Sequence, residues 1–340
     1  MPCLFAHYLI AQAAARRAPR ELVAAALGAD MSAYRLAAQG PDILFYHKAL
    51  PWQHSDEAIR IGFKMHEHDT AATFACGLDY VHNGGSQDRS AALAYLCGLS
   101  THLCLDAEAH PWIFYWTGDI TEGAREAERA RALHRHNVLE TAIDALLVGE
   151  ASGASGSDWL RRQRLMAVTR TQAAAVGRFY EHVLREVHGE TFTAAQVTEA
   201  IRDMTWVFDL LTDRRRLRTR AMGIVAAPFD RDRFIRDSVY PAVPDPVSAD
   251  LFAQIHEWRL PMDPAVVRSE SFHSLMERAI QRSAECVVAV ARAGLGQIPI
   301  DEAVAVVGNR SMLTGADCED ERPLVAFAPG LDDLWESAGL

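Results

Sequence analysis

The chain has 340 residues, 49% of them hydrophobic, and carries a formal net charge of −11 with an isoelectric point near 5.7. That length and apolar content build a large core without disulfide staples. The acidic balance gives no general attraction to nucleic acid or anionic membrane surfaces, so no stable nucleic-acid partner is expected.

Helical periodicity opens at residues 4–17, and a second short helix over 20–28 is stopped by Gly28. The turn "AAQGPDILFYH" interrupts the helices. A periodic segment resumes near 56 and runs through "IGFKMHEHDTAATFACGLDYV" to the break at Gly84 and Gly85. Helices follow over 89–110 and, opened by Thr121 and closed by Gly149, over 121–149. The segment "GEASGASGSD" reads as a linker or surface loop. Long helices fit 158–189 and 193–224, a proline-rich surface stretch follows, and a last long helix fits 264–294. A short alternating pattern at 284–291 is discounted because its neighbours are helical. The expected fold class is all-α, a multi-helix bundle with a metal-binding helical core over 1–150, helices over 158–296 completing the same bundle, and an irregular C-terminal extension over 297–340.

Six cysteines, at 3, 76, 97, 104, 286 and 318, form no C-x-x-C pair. With no leader-like amino end and no apolar run of about 18 residues, a cytoplasmic protein with reduced thiols and no transmembrane segment is expected.

The chemistry concentrates in "THLCLDAEAHP", where His102, Asp106 and His110 recur every fourth residue and share one helix face. Leu99, Leu103, Ala109 and Ile113 surround them with apolar surface, so the stripe points inward, where imidazole and carboxylate need partners. Alone, the triplet is equally well explained by ordinary caps and ion pairs. His136 and Glu140 repeat the same spacing on another helix. His66 matches the apolar set Ile59, Phe63 and Thr70 better than His68 does. Asp42 follows a tight Gly40-Pro41 turn, and His7 lies on the first apolar helix. Each singly is more often a core or cap residue than a ligand. Together they form a donor set that favours zinc over iron or manganese. They exceed the needs of one tetrahedral ion, so two ions and a possible third are expected, with Asp106 placed to bridge. Closely spaced zinc ions suit phosphoester hydrolysis.

Two aromatic runs, Phe45, Tyr46, Trp52 with His54 and Trp112, Phe114, Tyr115 with Trp116, fit core packing better than a substrate pocket. The arginines near 214–236 fit a solvated face better than a phosphate patch.

The order of these residues resembles the bacterial zinc-dependent phospholipase C family: an early histidine, a Gly-Pro-Asp turn, a histidine ahead of Asp-Thr, a helix with His, Asp and His before proline, and a helix with His and Glu. The block "AYLCGLSTHLCLDAEAHPWI" carries most of it, and "EWRLPMDP…SFHSLMERAI" is similar to a late segment of cytoplasmic members. The resemblance implies a bundle of the phospholipase C and P1 nuclease type. It implies one ion on Asp42, His66, His102 and Asp106, and a second on His110, His136 and Glu140. A third would sit on His7, Asp106 and a free chain terminus, with Pro2 where secreted relatives carry tryptophan. It implies a zinc-dependent phosphodiester hydrolase in which metal-activated water attacks phosphorus, with Asp42 orienting or deprotonating it, and a phospholipid or a soluble phosphoester as substrate. Two alternatives stand beside it: a nuclease, nucleotidase or phosphatase on the same multinuclear core, and a non-catalytic protein whose helices zinc staples together.

Overall fold

In a computed structural model the described residues are 4–49, 53, 55–85, 88–121, 124–152, 167–211, 241 and 243–338. In chain order they form α1 (Leu4–Arg17), α2 (Arg20–Leu27), α3 (Met31–Ala37), a 3-10 segment (Gly40–Tyr46), α4 (Asp56–Glu67), α5 (Thr70–Asn83), α6 (Arg89–Thr117) and α7 (Glu126–Ser152). There follow α8 (Arg170–Glu186), α9 (Ala194–Leu211), α10 (Pro246–Ala253), strands β1 (His256–Leu260) and β2 (Asp263–Glu270), α11 (Phe272–Gly294), α12 (Ile300–Val307) and α13 (Leu331–Glu336). The protein is an all-α multi-helix bundle.

Helix α6 is the axis. It is buried on nearly every side from Ala91 to Thr117, as expected of a helix that is apolar all round. It packs against α11, α3, α5, α1 and α7. Small residues set the closest approach: a Cβ at Gly98 would lie 2.2 Å from the Tyr34 carbonyl on α3. Side-chain caps open other helices, including the Thr169–Gln172 capping box of α8 and Ser271 at the start of α11.

Pro111 sits inside α6 and supplies no backbone N–H, so the carbonyl of Ala107 loses its intrahelical donor. Arg310 Nη2 takes up that carbonyl at 3.5 Å. The chain after α12 thereby reaches α6 beside the polar stripe, and a Cβ at Gly315 (φ +69°) would lie 2.2 Å from the same oxygen.

The sequence reading departs from the structure at several elements. No strand was expected, yet β1 and β2 form an antiparallel hairpin pairing His256 with Glu270 and Leu260 with Asp263. The last long helix therefore starts at Phe272, not at 264. The cause is local: most of β2 is exposed, so it shows no apolar alternation, while Trp258 alone anchors β1 in the core beneath the Arg268 guanidinium. Helix α7 begins at Glu126 rather than 121 and continues past Gly149 to Ser152. The 297–340 region is not irregular throughout, since it contains α12 and α13. The helix expected over 158–189 starts only at Arg170, capped by Thr169, and ends at Glu186, while the one expected from 193 starts at Ala194. Residues 158–166 and 212–224, the part of the expected linker over 153–158 and the arginine run near 214–236 lie outside the described residues, as do Pro2, Trp52 and His54. No helix among the described residues is long and apolar enough to cross a membrane.

Candidate metal centre

Five elements deliver the eight sequence-selected side chains to one buried region. His7 comes from the first half of α1 and Asp42 from the 3-10 segment. His66 lies in the last turn of α4, His102, Asp106 and His110 on α6, and His136 with Glu140 on α7. All eight are buried, none more than 4% exposed. His68, the alternative to His66, is exposed.

Three groups within this region each bring three ligand atoms close enough to hold a metal ion: Asp42, His66 and His102; His7, His102 and Asp106; and His110, His136 and Glu140. His102 therefore stands in two groups. Asp106 is central, with Oδ1 at 3.2 Å from His7 Nε2 and Oδ2 at 3.1 Å from His102 Nε2. Its Oδ2 is also 3.8 Å from His66 Nε2 and 3.8 Å from His110 Nδ1. His66 Nε2 lies 3.1 Å from Asp42 Oδ1, His110 Nε2 lies 3.5 Å from Glu140 Oε1, and His136 Nε2 lies 3.3 Å from Glu140 Oε2.

Backbone carbonyls decide the tautomers. His66 Nδ1 faces Gly62 O at 2.7 Å, His102 Nδ1 faces Ala38 O at 3.0 Å, and His110 Nδ1 faces Met312 O at 2.6 Å. A carbonyl only accepts, so each Nδ1 carries the proton and each Nε2 turns inward as the ligating atom. His66 Nε2 and His102 Nε2 meet at 3.5 Å. Neither ring nitrogen of buried His136 makes a hydrogen bond among the described residues. Converging acceptors of this kind are costly unless protons or a cation sit among them. The donor set thus fits a divalent metal on its own chemistry.

Packing holds the rings. His7 stacks on His102 with centroids 4.3 Å apart, Phe45 lies 5.5 Å from His66, and Phe114 stacks on His110 at 5.5 Å. Gly40 adopts φ +47°, and a Cβ there would fall 2.3 Å from the His102 ring, so only glycine admits both that turn and that imidazole. Its carbonyl accepts from Tyr180 Oη at 2.8 Å. Of the aromatics weighed for a pocket, Tyr46, Trp112, Phe114 and Tyr115 are buried in the core.

Electrostatics follow from burial and proximity. Burial pushes Asp42 up, but the close approach of His66 and His102 outweighs it and holds the carboxyl below its usual range. Asp106 is likewise driven up by burial and more strongly down by His102, His110 and His7. Glu140 is lowered against its own burial by His136 and His110. Burial pulls His110 down, while Asp106, Glu140 and the Met312 carbonyl raise it to about 9.

Two supports escaped the sequence reading. The Met312 carbonyl, 202 residues from His110, is a backbone acceptor and leaves no side-chain signal; Met312 N also donates to the His66 carbonyl at 2.7 Å. Asp144 extends the i, i+4 stripe of His136 and Glu140, and that spacing was the available signal. A surface cleft of about 710 Å³, lined by Thr117, Ala132, Arg135, Leu324, Phe327 and Leu331 among others, includes none of the ligand side chains. Of the expected third group, His7 and Asp106 come together, joined by His102, and Pro2 lies outside the described residues. Comparisons with protein-family models, with curated proteins and with solved structures find no match to this chain.

Proposed function

We propose that this protein is a zinc-dependent phosphoric ester hydrolase of the phospholipase C type, acting on a phosphodiester. The observation that carries the reading is the inward turn of the Nε2 atoms of His66, His102 and His110, fixed by backbone carbonyls, onto Asp42, Asp106 and Glu140. Imidazole and carboxylate donors suit zinc, whose common catalytic sites use histidine with a carboxylate. Three carboxylates carry less negative charge than two divalent ions carry positive, so a loaded centre attracts a phosphate anion. When bound, zinc supplies Lewis acidity that stabilises the charge of an in-line phosphoryl displacement.

The chain's own residues do the rest. Asp42, kept ionised by its histidine neighbours, orients the attacking water and accepts its proton at Oδ2, the oxygen opposite the one turned to His66. His102 joins the Asp42 and His7 groups, the latter completed by Asp106, and Glu140 with His110 and His136 forms the third. Among the described residues that last group brings three side-chain ligands together, which favours catalysis over a closed structural site with four. The resemblance to the zinc-dependent phospholipase C family in ligand order supports the same reading.

Metal analysis of untagged protein purified without added metal is expected to find at least two zinc equivalents, and hydrolysis of a chromogenic phosphodiester is expected to stop with chelator and return with zinc. Finding neither zinc nor hydrolysis would sink the proposal. Rates on short-chain phosphatidylcholine and on single-stranded DNA separate the lipase reading from the nuclease reading; release of nucleotides alone would favour the latter.

A further inference from the structure

Asp144 lies one turn beyond Glu140 on α7, is fully buried, and belongs to none of the three ligand groups. Its Oδ2 accepts the N–H of Phe5 at 2.9 Å and its Oδ1 accepts the N–H of Ala6 at 2.9 Å. These amides stand in the first turn of α1, where N–H groups lack an intrahelical acceptor and where a negative charge meets the positive end of the helix dipole. Helix caps ordinarily come from the residue just before the helix. Here the acceptor comes from a position 138 residues away, on the helix that bears His136 and Glu140. The same turn is gripped from the other side: Gln39 Nε2 donates to the Leu4 carbonyl at 3.0 Å, and Gln39 directly precedes the segment that bears Asp42. The next residue after this doubly held turn is His7, set 3.2 Å from Asp106 Oδ1 and stacked on His102.

We infer that Asp144 is a positioning residue for the His7 metal group, fixing the start of α1 against α7 so that the His7 imidazole stays within ligating distance of His102 and Asp106. The inference rests on the proposed reading that these groups hold zinc. It adds a coupling between two of them: the helix that ligates one ion also sets the distance of the arm that ligates another. Losing the clamp removes the Asp144 acceptor from two buried amides and loosens the turn ahead of His7. A tenfold or greater loss of affinity, as is typical for supports behind a metal ligand, is expected at the His7 group alone.

The test compares untagged full-length wild type, Asp144→Leu, Asp144→Asn and His7→Ala by zinc equivalents bound across a series of buffered free-zinc concentrations, with circular dichroism to establish the fold. Asp144→Leu is expected to lose the same equivalent as His7→Ala while the remaining zinc is unchanged. Asp144→Asn, which keeps the shape and one acceptor oxygen, is expected to recover part of it and serves as the decisive variant if Asp144→Leu does not fold. An Asp144→Asn or Asp144→Leu protein that melts earlier yet binds zinc like wild type would overturn the inference, leaving Asp144 a helix cap. Wild type that loads the other groups but not His7 would overturn it too. Wild type that binds no zinc at all would instead remove the proposed function.

Discussion

His110 stands between two of the groups, its Nε2 facing Glu140 and its Nδ1, held by the Met312 carbonyl, 3.8 Å from Asp106 Oδ2. Without metal its folded pKa, about 9, lies above the ordinary 6.5. The ion pairing it contributes is therefore complete below pH 6.5 and is lost as pH rises through 9, a loss on the order of 3 kcal/mol at most. Chelated protein is expected to lose denaturation free energy across that window, and zinc-loaded protein to lose far less, because metal has replaced the Nε2 proton. The corollary is that zinc binding near pH 7.5 releases about one proton from this group. Calorimetric titrations in buffers of different ionisation enthalpy measure it; zero release would contradict the assignment. His110→Ala is expected to remove the ion held with His136 and Glu140 and leave the Asp42 group largely loaded. Equal loss of both would show that the groups are not separable.

At the scale of elements, the centre depends on a chain segment that carries no ligand side chain. The loop after α12 lies against α6 because Pro111 frees the Ala107 carbonyl, Arg310 takes it up, and Gly315 permits the approach. Gly315→Ala places a Cβ where that oxygen already is and forces a left-handed residue to carry a side chain, at a cost of about 1–2 kcal/mol before the clash. Metal titration of this variant is expected to show about tenfold weaker binding at the His110 group, and unchanged affinity would deny the loop a supporting role. This dependence marks where the sequence stopped being legible. His102, Asp106, His110, His136 and Glu140 could be read because helical spacing puts them on common faces, and Asp42 because Gly40-Pro41 announces a tight turn. The Met312 carbonyl could not, since any residue supplies one. The β1–β2 hairpin was missed for a related reason: a ribbon exposed along most of one strand lacks the alternation that betrays a half-buried sheet. The sharing of His102 between two groups is also a fact of three dimensions, set by how α1 and the 3-10 segment converge on one ring.

For the whole molecule, the question is how much of the fold the metal supports. The ligands come from residues 7 to 140, and the core extends far beyond them: Phe179, Trp258, Leu275, Val290 and Trp335 are all buried at 1% exposure or less. A chain with that much packed apolar surface is expected to fold without metal, unlike small domains whose folding energy is the metal's. Zinc at a thousandfold over its dissociation constant adds about 4 kcal/mol per site to the folded state. Two loaded sites in a chain of this size then correspond to a melting midpoint higher by on the order of 10 °C. Scanning calorimetry with and without chelator is expected to show that drop and its reversal by zinc, while the helical circular dichroism at 25 °C stays the same. Collapse of the helical signal on chelation would instead identify zinc as a staple of the fold, and with it the non-catalytic reading. A retained fold with lost phosphodiester hydrolysis is the combination expected of a centre whose metal serves chemistry.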